Sequence, residues 1–386
     1  MEHSRRRNAE VKLAVAQSYT LDNLSKTLNA LRKTAETAAA DGVDILLFPE
    51  AYLGGYPRTC SFGAAVGSRT DEGREQFLQY FKSCVDLGDT PTGAGDDWVR
   101  KQLPVGADGR RGDGTREYLE EVARETGVFI VTGLVERAGG SLFCAAVYID
   151  PTRGMIGKRR KVMPTGSERL VWSQGTADTL KAVTTVIRGT KITMAAAICW
   201  ENMMPLLRYS IYSQNVNLWL APTADPRDTW ESLMKTVAME GRCFVMSANQ
   251  CQKRHQLPNW ITGAGLSQPE VEDEVSVGAP RTDAAGDALV NGKSETNGAG
   301  TIDTVTSRSK ATAGDEYVSR GGSCIIGPMG KTVAGPVWEN SDKLVTAWVD
   351  FDDCARGKLD FDAAGHYARH DQFQLSVAGL SLYPPS

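Results

Sequence analysis

Lys191-Ile192-Thr193-Met194-Ala195-Ala196-Ala197-Ile198-Cys199-Trp200-Glu201-Asn202 is the stretch on which the fold turns. An apolar run from Ile192 to Ile198 stops at a cysteine. Trp200, Glu201 and Asn202 then lead into a helical pattern with Pro205 near its start. A short apolar run that closes into a polar turn and a helix reads as a buried strand with a sharp strand-to-helix turn. Such a turn holds a side chain at the end of a sheet, facing a crevice. A cysteine there is a candidate nucleophile, since thiolate attack is the chemistry cysteine does best. The same position also suits a cysteine that packs as a small hydrophobe.

Two other stretches end in the same way. Val43-Asp44-Ile45-Leu46-Leu47-Phe48-Pro49-Glu50 reads as a strand that stops on a carboxylate, followed by Ala51-Tyr52-Leu53-Gly54-Gly55-Tyr56-Pro57-Arg58. Gly157-Lys158-Arg159-Arg160-Lys161-Val162-Met163-Pro164-Thr165 precedes Glu168-Arg169-Leu170-Val171-Trp172. Glu50, Lys161 and Cys199 thus each stand where a strand or turn meets a loop. The trio suits acyl transfer, with a general base and acid, a cation beside the developing anion, and a nucleophile.

Outward from these, Lys12 to Ala16 reads as a first strand and Leu21 to Ala40 as a helix, with Thr20 or Asp22 as its cap. Thr70 to Val85 and Thr115 to Thr126 carry helical spacing, and Asp86 to Gly114, rich in Gly, Asp and Pro, reads as a loop. Val128 to Val135 and Leu142 to Ile149 are adjacent strands joined by a turn at Ala138-Gly139-Gly140. Pro205 to Gln214 and Trp230 to Gly241 read as helices, and Val216 to Leu220, Cys243 to Asn249 and Leu344 to Asp350 as strands. The pattern predicts an α/β sandwich with mixed sheets and helices on the outer faces.

FPEAYLGGYPR, RRKVMPTGSERLVWSQG and AAICWENMMPLLRYSIYSQNVNLWLAPTAD, in that order, resemble the motif blocks of the nitrilase family. The resemblance runs from about Val11 to Asn249 and again from about Arg320 to Val377. It implies the αββα sandwich of that superfamily, two mixed sheets covered by outer helices. It also implies Glu50, Lys161 and Cys199 as a catalytic triad, with Glu168 as a supporting carboxylate. Trp200 and Tyr56 become candidate substrate-binding residues, with plain core packing as the alternative for Trp200. The chemistry implied is hydrolysis of an organic nitrile to an acid and ammonia through a thioimidate and a thioester, with no metal and no organic cofactor. Cyanide hydratase and an amidase or carbamoylase are the alternatives within the fold, and a catalytically dead, spiral-forming scaffold the non-enzymatic one. The chain departs from the family at Arg159, where nitrilases usually carry histidine, and at Ser173 to Ala177, where they usually carry Gly-Gln-Gly-Asp-Gly.

Composition bounds the rest. The 386 residues carry a formal charge of -4, which argues against a general nucleic-acid binder. No apolar stretch reaches the length of a membrane span, and the polar start carries no secretory signal pattern. Eight scattered cysteines without a CxxC pair argue against zinc and suit a reducing, cytoplasmic setting. Gly330-Lys331-Thr332 lacks the earlier glycine of a P-loop, Ile325 standing in its place, and reads as a hairpin turn. His366 and His370 read as packing residues. A single hydrolase domain over residues 8–350 is expected. Within it residues 263–316, poor in large apolar groups, read as a disordered insertion. Residues 351–386 carry Phe351, Leu359, Phe361, Tyr367, Phe373 and Leu375, too apolar for a free tail. Such groups bury against the body of the chain or against a neighbour; the resemblance implies the neighbour, with the helix after Cys199 as a second contact surface, and dimers that extend to a spiral.

Overall fold

The structure is a computed structural model and describes residues 10–107, 109, 111–262 and 314–383. The segment read as an insertion lies almost entirely outside the described residues.

The strands used below are, in chain order, β1 Val11–Gln17, β2 Ile45–Leu47, β3 Phe129–Ala138, β4 Ser141–Asp150, β5 Gly154–Arg160, β6 Val183–Ile187, β7 Thr190–Ala196, β8 Leu218–Leu220, β9 Phe244–Ser247, β10 Cys251–Lys253, β11 Tyr317–Ile326, β12 Thr332–Trp338 and β13 Lys343–Val349. One sheet runs β13-β1-β2-β3-β4-β5. The other runs β10-β11-β9-β8-β7-β6, with β12 paired to β11. Both are mixed. β1, β2 and β3 are parallel neighbours while β3, β4 and β5 are antiparallel; β7, β8 and β9 are parallel while β6 joins β7 antiparallel.

The strand period of two explains how four layers form. Leu13 and Val15 pack in the cluster between the sheets, together with Met194 and Ala196 of β7. Their neighbours Ala14 and Ala16 face outward into a second cluster with Leu31, Ala35 and Ala38 of helix α1, Leu24–Ala40. On the far side Ala195 and Ala197 join Leu207 and Ile211 of helix α2, Pro205–Tyr212, and Met234 and Val237 of helix α3, Trp230–Gly241. Alanine meeting alanine at the outer layers lets helix and sheet approach closely. The αββα sandwich is therefore observed.

Several local readings change. The cap of α1 is Asn23, whose side chain accepts from Lys26 N at 2.9 Å. Thr20 is drawn away to donate to the Tyr52 carbonyl at 2.9 Å, and Asp22 accepts from Asn259 N at 3.2 Å. The Asp86–Gly114 loop contains the short helix Gly95–Val99, anchored by buried Trp98. Gly330-Lys331-Thr332 does lie at the turn between β11 and β12.

Candidate active site

Three strand ends converge. β2 stops at Leu47, and Phe48 N still bonds Val131 O at 2.8 Å before the chain turns at Pro49 and Glu50. The turn crosses β3 at Gly133, where a Cβ would stand 2.3 Å from Pro49 O and 2.7 Å from Glu50 Cα. Only glycine permits that crossing. Gln250 fixes the turn from the other sheet by donating to Glu50 O at 2.9 Å. β5 delivers Lys161, whose carbonyl accepts from Gly175 N at 2.7 Å. Gly175 lies in the second departing stretch, so that loop supports the backbone of Lys161 directly. β7 delivers Cys199, at a φ of +52°. Left-handed backbone at a non-glycine residue is strained and persists only where its surroundings hold it. Here Asn202 Nδ2 donates to the carbonyls of Ala197 at 2.8 Å and Cys199 at 2.7 Å.

Glu201 links two of these ends. Its carboxylate accepts from Ile198 N and Val162 N, both at 2.7 Å, and from Arg159 Nη2 at 2.6 Å. Arg159 Nη1 reaches Ala196 O at 2.6 Å. The arginine at this departure from the family pattern is therefore a buried brace across the two sheets, an ion pair whose Nη atoms both find acceptors while its Nε is buried without a partner among the described residues.

The candidate side chains meet inside this frame. Lys161 Nζ lies 2.7 Å from Glu50 Oε1 and 2.7 Å from Glu168 Oε2. Lys161 and Glu50 are fully buried, and Cys199 is 5 % exposed. Glu168 also accepts from Thr165 N at 2.6 Å and from the Tyr56 hydroxyl at 2.8 Å. Oε2 of Glu50 is buried with no well-aligned hydrogen-bond partner among the described residues, while the Cys199 thiol stands near enough to favour the charged carboxylate. Thr223 donates its hydroxyl to Cys199 Sγ at 3.3 Å. Cys144 Sγ lies 3.6 Å from Glu50 Oε1, so a second thiol touches the same carboxylate.

Burial pushes Glu50 up to about 7, with Glu168 adding to the rise and the Lys161 ammonium opposing it. Burial also pushes the Cys199 thiol up, reinforced by the Glu50 carboxylate and opposed by Lys161. For Lys161, burial works against the charge, but Glu50 and its neighbours outweigh it and hold the ammonium well above its ordinary range. The resting site therefore holds a neutral thiol beside a cation and a carboxyl group poised near neutrality.

Tyr56 and Trp200 are half-buried and both are tied to the network. Tyr56 spends its hydroxyl on Glu168 and sets its ring edge-on to Trp172, 5.5 Å between centroids. Trp200 donates to Asp225 Oδ2 at 2.7 Å, with the Arg227 guanidinium 4.4 Å over its ring. Packing and partial exposure thus coexist at Trp200, which touches both the inter-sheet and outer clusters. Thr223, Cys144 and Arg58 were not read as site residues. Thr223 and Arg58 stood inside quoted blocks, but their contacts are 24 and 166 residues away in sequence. Among the described residues no group of three or more His, Cys, Asp or Glu could hold a metal ion. No described helix is long and apolar enough to cross a membrane.

A buried carboxylate, ammonium and thiol thus gather between the two sheets of an αββα sandwich, an arrangement suited to acyl transfer. The carbon-nitrogen hydrolase family matches residues 12–358, and the chain belongs to that family, in its nitrilase branch. It is 37% identical over 370 residues to a nitrilase of Bradyrhizobium diazoefficiens, covering 95% of this chain and 91% of that one. It is 34% identical over 378 residues to an arylacetonitrilase of Trametes versicolor, covering 95% and 96%. An amidase from Nesterenkonia sp. shares the fold, with a TM-score of 0.53 at 16% identity over 92% of this chain and 96% of that one.

Proposed function

We propose that the protein hydrolyses an organic nitrile to the carboxylic acid and ammonia. The observation that carries the reading is the hydrogen-bonded Glu50–Lys161–Glu168 set beside a strained, buried Cys199, and the similarity to nitrilases over nearly the whole chain supports it. Cys199 Sγ attacks the nitrile carbon as Glu50 takes the thiol proton, and that proton passes to nitrogen to give a thioimidate. Glu50 then deprotonates a water that adds to the same carbon. The tetrahedral species collapses with loss of ammonia, leaving a thioester, and a second water releases the acid and restores the thiol. Lys161 offers its remaining N–H and its charge to the anionic species, where exclusion of water strengthens the attraction. Glu168, with three donors on its two oxygens, positions Lys161 and is the weaker candidate for proton transfer. Tyr56 and Trp200 form the partly open rim that a substrate meets first.

The base sets a pH dependence. Below about 7 Glu50 holds a proton and cannot accept another, so kcat/KM falls about tenfold per pH unit on the acid side. Above that pH the carboxylate is free and the curve levels. Initial rates of ammonia release between pH 5 and 9 check the sign and midpoint. A profile flat through neutrality would remove Glu50 from the base role.

We also infer a cytoplasmic protein, in keeping with eight free cysteines, organised as a hydrolase domain over residues 8–350 and an assembly tail from 351. Leu359, Tyr367 and Phe373 are exposed in the single chain, at 84%, 58% and 74%, and Leu206 on α2 is 70% exposed. The tail comes back against α2, with Tyr209 Oη 3.1 Å from Tyr383 Oη and 3.3 Å from His370 Nε2. The two expected contact surfaces are therefore neighbours, and apolar area of this kind favours burial in a homo-oligomer. Truncation before Asp352 should lower both the sedimenting mass and the specific activity. An equally active, equally large particle would refute the tail's role.

A further inference from the structure

Among the described residues around Cys199, every charged group but one has an opposite partner in contact. Glu50 and Glu168 share Lys161, and Asp225 is bound by Arg227. Arg58 has no carboxylate within salt-bridge distance among the described residues. Its Nη2 donates to the Ala224 carbonyl at 3.1 Å, and its guanidinium lies 5.1 Å over the Tyr56 ring. Its Nε is buried with no hydrogen-bond partner among the described residues. Leaving a buried donor on a cation unpaired is costly, and such a group calls for an explanation. Arg58 stands close enough to Glu50, Cys199 and Asp225 to feel each charge. It is only partly exposed, like its rim neighbours Tyr56 and Trp200, whereas Glu50 and Lys161 are sealed.

Glu168 offsets Lys161 and Asp225 offsets Arg227. The Arg58 charge is therefore set only against Glu50 or, once the thiol proton has moved, against the Cys199 sulfur, and it contacts neither among the described residues. A carboxylate on the substrate would give Arg58 the partner in contact that it lacks. Guanidinium is the cation best shaped for it, since its planar donors match two carboxylate oxygens.

We propose that Arg58 is a specificity-determining residue that binds a carboxylate on the nitrile, so that the preferred substrates are cyano-carboxylic acids. The proposal rests on the nitrilase reading above and names its substrate class. The hydrolysis then converts a monoanionic nitrile into a dianionic diacid, whose second carboxylate arises next to Cys199.

The test compares the half-nitriles of succinic and glutaric acid with butanenitrile and pentanenitrile, in which a methyl group replaces the carboxylate. The readout is the ratio of kcat/KM for acid over neutral nitrile. In the wild type the ratio exceeds one. In Arg58→Gln it falls by about ten- to a hundredfold, the worth of a charge-assisted hydrogen bond to a desolvated partner, with the loss mainly in KM for the acid. Arg58→Lys keeps the charge without the planar fork and falls between. Glutarate should inhibit pentanenitrile turnover competitively in the wild type and much less in Arg58→Gln, which reads binding without chemistry. Far-ultraviolet circular dichroism of both variants guards against misfolding. If Arg58→Gln slows acid and neutral substrates in equal proportion, Arg58 is a counter-charge and the carboxylate site is wrong. If the wild type releases ammonia from the neutral nitriles but disfavours both acids, the site is wrong as well. No ammonia from any nitrile, aromatic ones included, would overturn the nitrilase reading and this proposal together.

Discussion

Cys199→Ala leaves a folded protein that releases no measurable ammonia, a loss of at least about 10⁴-fold. The fold survives because Asn202 and Glu201, not the thiol, hold the turn. Removing the side chain also relieves little of the strain, since alanine keeps the Cβ at φ +52°. The control is Cys243→Ala. Cys243 is buried in the outer cluster with α2 and α3, and its loss should cost stability but leave most of the turnover. The sharper comparison is Cys144, whose thiol also touches Glu50. Mass spectrometry of trapped covalent intermediate should place the adduct on Cys199. An adduct on Cys144, or an active Cys199→Ala enzyme, would reverse the assignment.

Lys161→Arg and Lys161→Met should each lose at least about 10³-fold in kcat while melting cooperatively. Lys161 is wedged between two carboxylates at 2.7 Å each and lies 5.6 Å over the Trp172 ring. Arginine keeps the charge but is longer and planar, so it displaces either a carboxylate or the indole. Methionine removes the cation altogether. Glu50 and Glu168 then face each other uncompensated, so the Glu50 carboxyl rises further above its already raised position and the acid limb moves to higher pH. Any residual activity of Lys161→Met should carry that displaced limb. Near-normal turnover by Lys161→Arg would show that charge alone suffices, without placement.

The sequence made two of the three strand ends legible for a plain reason. Ile45 to Phe48 and Ile192 to Ile198 are apolar on both faces because each strand is covered on both sides, so the first polar residue marks the exit. Lys161 follows Lys158, Arg159 and Arg160, where charge hides the strand. β5 is nevertheless built there because those charges are paired inside the protein, with Glu136, Asp89 and Glu201. The edge strands β6 and β12 were not read as strands, since threonine, glycine and proline interrupt their alternation and much of each lies open to water. Asn23 lost to Thr20 and Asp22 as the expected cap because all three are good caps and only tertiary contacts decide among them. Thr223 and Arg58 could be quoted but not interpreted, since an unpaired guanidinium is visible only when every carboxylate around it has been placed.

The proposed catalytic groups are divided between the layers. Glu50 and Lys161 hang from one sheet and Cys199, with Thr223 beside it, from the other, and the inter-sheet core sets the distance between them. A few polar ties cross the gap at this end, namely Tyr148 to Ala196, Arg159 to Ala196 and Glu201, and Gln250 to Glu50. The reacting atoms therefore act as a gauge of sheet separation. Heat or a trimmed core residue that lets the layers drift by a fraction of an ångström will spoil the alignment while every helix and strand is still intact, so catalysis in this molecule is the first property to be lost and the most sensitive thermometer of its interior.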